Sequence, residues 1–179
     1  MNVETLSYAI DDQDRLIRVD EGFYRFAEAN GWEAVGDSLG RVLWDFIAGF
    51  EVKKLQRLLL RRVREGAGPI ELPFRCDSPE RRREMDIKIA ADSSGRVVLF
   101  VASLRDTRDW EEPQPLLNAG ARRGGDFLPM CAWCDRFLVK GQWVEVEVAA
   151  RTLELFRRTE MPPLDHSVCP ACAGTLQTA

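Results

Sequence analysis

Four of the five cysteines stand in two C-x2-C pairs, Cys131-Ala132-Trp133-Cys134 and Cys169-Pro170-Ala171-Cys172, with 34 residues between the pairs. Two cysteines at this spacing on a tight turn aim both sulfurs at one point, and two such turns complete a tetrahedron of thiolates. Zn²⁺ favours that donor set, with Zn–S bonds of roughly 2.3 Å. Cys131, Cys134, Cys169 and Cys172 are therefore the expected ligands. A thioredoxin-like pair wants one C-x-x-C after a strand in a βαβ unit, a setting neither pair has. Two disulfides would need an oxidising compartment, and Met1 to Ile10 lacks the basic start and apolar run of a signal peptide. His166, the single histidine, precedes Cys169 by three residues. Four cysteines already fill the shell, so it is expected to orient a thiolate from outside or merely to be exposed, the alternative being that it replaces one cysteine as ligand. Four sulfurs leave no coordination position open to water, as a catalytic zinc requires, so the metal is expected as a structural staple.

The long spacing implies a folded insert between the two knuckles. Phe137-Leu138-Val139 and Gln142-Trp143-Val144 flank Lys140-Gly141 and predict a hairpin. Val146 to Phe156 places Val148, Thr152 and Leu155 at helical spacing, and Pro162-Pro163 ends that helix before the second knuckle. Upstream, Glu111-Glu112-Pro113-Gln114-Pro115 and Gly120-Ala121-Arg122-Arg123-Gly124-Gly125 are rich in breakers, so residues 107–127 read as a linker. The zinc module is expected over residues 128–179.

Residues 1–106 read as a separate α+β unit. Tyr8 to Asp20 forms two short strands around a turn. Asp20 then caps a helix with Phe23, Phe26 and Ala27 on one face, stopped by Asn30-Gly31. Ala34 to Phe50 suits short helices packed through Leu43, Trp44, Phe46 and Ile47. Glu51 to Glu65 is the longest helix, with Val52, Leu55, Leu59 and Val63 inward, Leu58 beside them, and a solvated basic face. Three strands follow. Ile70, Leu72, Phe74 and Cys76 alternate with Glu71, Pro73, Arg75 and Asp77, and Pro73 points to an edge position. Met85, Ile87 and Ile89 alternate with charged residues. Val97 to Leu104 is apolar on both sides and must be covered on both. Val98, Phe100, Ala102 and Leu104 are assigned to a docking face for a second copy or another protein.

This order of elements, with Arg25-Phe26-Ala27-Glu28-Ala29-Asn30-Gly31 and Leu43-Trp44-Asp45-Phe46-Ile47, resembles a PAS sensor domain over Leu6 to Asp106. The tail, with its two cysteine pairs, Gly141-Gln142-Trp143 and His166, is similar to a cysteine-rich module found behind sensor domains in some bacterial signalling proteins. There a glycine commonly follows the histidine, where this chain has Ser167. The resemblance implies a PAS-like antiparallel sheet with helices on one face, often around a small cavity for a ligand or cofactor. Phe23, Phe26, Trp44, Phe46, Phe74 and Met85 are the side chains expected around any small-molecule ligand, although such aromatics more often simply fill a core. Histidine-held haem has no ligand in residues 1–110. Met85 or Cys76 could ligate iron, but each sits on an inward strand face where packing explains it. A flavin photosensor of the cysteine-adduct type lacks its cysteine between Trp32 and Phe50. Cys76 fits a small buried hydrophobe.

Composition sets the remaining bounds. The chain has 179 residues, 45% hydrophobic and 30% charged, with formal charge −4. No apolar run reaches the roughly 20 residues of a membrane span, and a cytoplasmic location is expected. There are 18 basic against 20 acidic residues up to Trp110, and 7 against 9 beyond it. Neither part has the basic excess of a nucleic-acid binder. No nucleophile–base pair or phosphate loop is present, so a non-enzymatic signalling protein working through protein contacts is expected. The alternative is a transcriptional regulator whose zinc module binds nucleic acid.

Overall fold

The computed structural model describes residues 5–32 and 35–179. Five strands form one antiparallel sheet in the order β2-β1-β5-β4-β3. They are β1 (Thr5–Ile10), β2 (Leu16–Val19), β3 (Ile70–Arg75), β4 (Arg81–Ala91) and β5 (Val98–Asp109). Helices α1 (Glu21–Ala29) and α2 (Phe50–Arg64) lie between β2 and β3 in sequence, with two short 3₁₀ turns between them. The antiparallel sheet with helices on one face is the expected architecture.

Strand alternation explains which face is covered. Tyr8, Phe100, Ile89 and Ile70 stand opposite one another across four strands, as do Leu6, Ala102, Ile87 and Leu72. Side chains of one parity share a face, and this one packs on Val52, Leu55, Leu59, Leu60 and Val63 of α2. At the start of α1, Asp20 accepts hydrogen bonds from the Phe23 backbone N–H at 2.7 Å and the Ser7 hydroxyl at 2.6 Å. This cap also ties the helix to β1. Pro73 lies on β3, an edge strand, as its missing N–H predicted.

Two expectations fail here. Val98 and Phe100 are 0% and 4% exposed, and Ala102 is also buried, so the assigned docking face is the interior of the sheet. Leu104 is half-buried on the same side. A strand apolar on both sides does not disclose its phase, and the rungs with Tyr8 and Ile89 set it. Leu99 and Val101 hold the outer face, half-buried. Residues 107–127 are likewise packed, not a free linker. β5 runs on to Asp109, and the Trp110 indole N–H donates to the Ser78 carbonyl at 2.9 Å. Leu116 is fully buried, and the Arg123 guanidinium holds the Leu116, Asn118 and Pro162 carbonyls. A few well-placed apolar residues suffice to anchor a segment otherwise full of breakers.

These anchors belong to a second core with a second sheet, ordered β8-β7-β6-β9. Its strands are β6 (Leu128–Cys131), β7 (Phe137–Val139), β8 (Gln142–Val144) and β9 (Leu164–Ser167). Lys140 and Gly141 both take positive φ, 49° and 80°, as a two-residue hairpin turn requires. Helix α3 (Val146–Thr152) buries Val146, Ala149 and Ala150. Val148 and Thr152, grouped with Leu155 by helical spacing, are exposed while Leu155 is buried, and the helix expected to run to Phe156 ends at Thr152, with Glu154 at φ 55° leading into a 3₁₀ turn. Helix α4 (Pro170–Thr178) has no apolar stripe that would have announced it. It packs on α2 through buried Leu176, and Arg62 of α2 donates to the Gln177 and Ala179 carbonyls.

Candidate metal centre and the seam around it

The two knuckles meet because β6 and β9 pair in parallel, with Cys131 opposite Ser167. The Ala132 N–H donates to the Ser167 carbonyl at 2.9 Å, which continues the ladder into the first knuckle. There the chain turns back on itself: Cys131 N–H donates to Arg136 O at 2.8 Å, and Asp135 N–H to Cys131 O at 3.0 Å. Asp135 takes φ 55° to make that turn. On the other side Cys169 is the N-cap of α4, with Pro170 in the first turn where no N–H is needed. Cys172 follows within that turn. Parallel pairing thus closes a gap of 34 residues that spacing alone left unexplained.

The four sulfurs of Cys131, Cys134, Cys169 and Cys172 all lie within 4.8 Å of one another. Cys134 and Cys169 are 3.8 Å apart, and no pair forms a disulfide. A tetrahedron with metal–sulfur bonds of 2.3 Å has edges of about 3.8 Å, so the donor set fits a metal ion of that size. The Cys169 N–H donates to the Cys131 sulfur at 3.3 Å. The Cys131 thiol is driven well down by hydrogen bonds from the thiols of Cys134 and Cys172, then by backbone N–H groups.

His166 is not part of this set. It lies on β9 opposite Met130, and its ring makes no hydrogen bond to a described residue. Neither a ligand role nor contact with a thiolate is supported. The residue before a knuckle strand's last position faces away from the sulfurs, which a linear spacing does not reveal. Cys76 also stays outside the cluster. Its thiol is pushed up to about 11, first by burial and then by the Asp135 carboxylate, as suits a packed, unreactive side chain.

A charged network, not anticipated, holds the first knuckle to the five-stranded sheet. Arg75, expected outward on β3, is buried and pairs with both Asp77 and Glu145. Glu145 also accepts from Arg136 at 2.9 Å and lies 3.5 Å from Arg82. Asp135 is buried and accepts the Asp77 backbone N–H at 2.8 Å. Burial, with the neighbouring Asp77 carboxylate, pushes Asp135 up to about 7. The outward parity of Arg75 was correct; what the sequence did not show is that the tail covers this edge. Trp133 completes the cover. Its indole N–H donates to Pro73 O at 2.7 Å, and its own carbonyl accepts Arg75 N–H at 2.9 Å. The knuckle therefore satisfies the free edge of β3.

The six expected pocket residues divide. Phe26, Phe74 and Met85 line a cavity of about 400 Å³ between the five-stranded sheet and the tail. Phe23 and Phe46 instead pack with Trp32, at ring separations of 5.9 and 5.7 Å. Trp44 sits by the β1–β2 turn, donating to Asp14 at 2.8 Å beneath the Arg57 guanidinium. The tail contributes Ala132, Trp133, Asp135 and His166 to the cavity wall, none of which had been placed there.

No protein-family model matches the chain. No curated protein matches it either. Among solved structures, the PAS domain of Bordetella pertussis BvgS is similar at 15% identity and a TM-score of 0.41, covering 57% of this chain and 76% of that one. Among the described residues no helix is long and apolar enough to cross a membrane.

Proposed function

We propose that the chain is a PAS-like sensor whose tail is stapled by one structural Zn²⁺, and that it signals through protein contacts, not catalysis. The four gathered sulfurs carry this reading. Cys131, Trp133 and Cys169 belong to the same apolar core as Leu55, Leu59 and Phe100. A metal held there stabilises the junction of the two parts as well as the tail. Thiolates of this kind survive in a reducing compartment such as the cytoplasm. The outer face of β5, at Leu99 and Val101, is the surface offered to a second copy or another protein.

The nucleic-acid alternative loses part of its positive charge to internal pairing. Arg136 is bound to Glu145, Arg122 to Glu160 at 2.9 Å, and Arg151 lies 3.8 Å from Glu111.

Metal analysis of protein purified without added zinc tests the proposal. The expected result is one zinc per chain, and a chelator that lowers the melting temperature of the whole chain in one transition. Protein with no bound metal and four freely reacting thiols in the tail would overturn it.

A further inference from the structure

We propose that Cys134 and Cys172 form a hydroperoxide-reactive pair, and that oxidation there exchanges the bound metal for a disulfide. This rests on the metal-stapled reading above and makes the staple the point at which the chain senses an oxidant.

The four sulfurs are unequal in access. Cys131 and Cys169 are 0% and 2% exposed, within the core that also holds Leu55 and Phe100. Cys134 and Cys172 are half-buried and open together onto a groove of about 230 Å³. Pro73, Phe74 and Trp133 give the groove apolar walls, and the exposed Thr175 of α4 borders it. Its charged groups are already paired: Arg75 with Asp77 and Glu145, and Arg105 with Glu84 and Asp86. An uncharged oxidant enters without disturbing an ion pair, whereas an anionic one finds no free cation. Cysteines react when they are accessible and have a second sulfur in reach. Cys76 has no such neighbour, since it lies outside the cluster.

The step balances with the hydroperoxide and solvent alone. One of the two thiolates attacks the O–O bond, keeps one oxygen as a sulfenic acid and releases the other as water or an alcohol. The second thiolate then attacks that sulfur, the S–O bond breaks, and the remaining oxygen leaves as water. Each sulfur loses one electron, the peroxide gains two, and two protons come from solvent. The sulfurs start within 4.8 Å of one another and must close to roughly 2.05 Å. A sulfur in a disulfide is no longer a thiolate donor, so the cation keeps only Cys131 and Cys169 and leaves. The new bond runs from the first knuckle to the first turn of α4, and it holds the tail docked after the metal has gone.

The test uses the full chain carrying Cys76→Ala, purified under reductant, loaded with zinc and freed of reductant before hydrogen peroxide is added. A chromogenic chelator is expected to report release of one zinc per chain. Two of the four thiols should be lost, with a disulfide between Cys134 and Cys172 mapped by mass spectrometry. A thiol reductant should restore zinc binding, and the oxidised chain should still melt cooperatively. Thr175→Trp, which covers the groove from α4 and replaces no ligand, should keep one zinc and release it several-fold more slowly. Independently of that variant, partial alkylation of the zinc-loaded chain with iodoacetamide should label Cys134 and Cys172 ahead of Cys131 and Cys169. Three results would each overturn this inference and leave the zinc staple standing: zinc retained under a peroxide dose that oxidises free cysteine, a disulfide that includes Cys131 or Cys169, or alkylation with no such preference. So would a folded Thr175→Trp chain that releases zinc as fast as the parent. Protein purified without any metal sinks the functional reading, and this inference with it.

Discussion

At the level of single residues, the cysteines separate by environment. Cys131→Ser or Cys134→Ser is expected to abolish stoichiometric zinc and lower the melting temperature, because the remaining three sulfurs lack the fourth vertex. Cys76→Ala should keep one zinc per chain and cost about 1 kcal/mol at most, since only a small packed group is lost. Zinc content and thermal melts of the three variants check this. Arg75 is the residue on which the seam network turns. Arg75→Met would strand the buried carboxylates of Asp77 and Asp135 near Glu145 and is expected to cost roughly 3–5 kcal/mol, read by urea denaturation. Glu145 supplies a pH signature. Burial pushes its carboxyl up, but Arg136, Arg75 and Arg82 more than offset this, and it titrates below the ordinary glutamate range. Its folded value is thus below its unfolded one. The stability it contributes is whole above a pH of about 4.3 and is lost as pH falls through the folded value. Glu145→Gln should flatten the acid limb of stability, measured as the difference between variant and parent from neutral to acid pH.

At the level of elements, α2 and β9 meet at one glycine. Gly49→Ala combines a positive φ with a clash against the His166 carbonyl. It should destabilise the chain by more than about 1 kcal/mol, while zinc is still bound at high metal concentration. β5 gives a contrasting pair. Val98→Asp and Phe100→Asp bury a charge in the sheet interior and should unfold the domain, whereas Leu99→Asp and Val101→Asp should alter only association. Circular dichroism with light scattering separates the two outcomes. Much of this level was legible beforehand. The Asp20 cap, the Asn30-Gly31 stop, the Lys140-Gly141 turn and the inward set of α2 follow from local stereochemistry. The phase of β5 was not legible, because Val97 to Leu104 is apolar on both sides. Nor was α4, whose Ala-Gly-Thr sequence carries no stripe and is held by its contact with α2. The cysteine cluster was legible because thiols at paired spacing have few other uses. His166 and Arg75 were misplaced because their surroundings come from segments distant in sequence.

At the level of the whole molecule, the tail is part of the structure of the five-stranded sheet and its helices. Trp133 occupies the β3 edge, α4 lies against α2, and the 107–127 segment is anchored at Trp110 and Leu116. A fragment ending before Leu128 would expose the β3 edge and one side of α2. It is expected to self-associate or to melt well below the full chain, by light scattering and calorimetry. A monomeric fragment with undiminished stability would show that the two parts fold independently. The parallel β6–β9 pairing has one more consequence. The sulfurs of the first knuckle can hold no ion by themselves, since their partners lie beyond the hairpin and α3. Any chain cut short of Cys169 keeps half of the donors. On the proposed zinc reading, capture of the ion would certify, at the moment it happens, that translation has passed the second knuckle and that its strand has found the right neighbour.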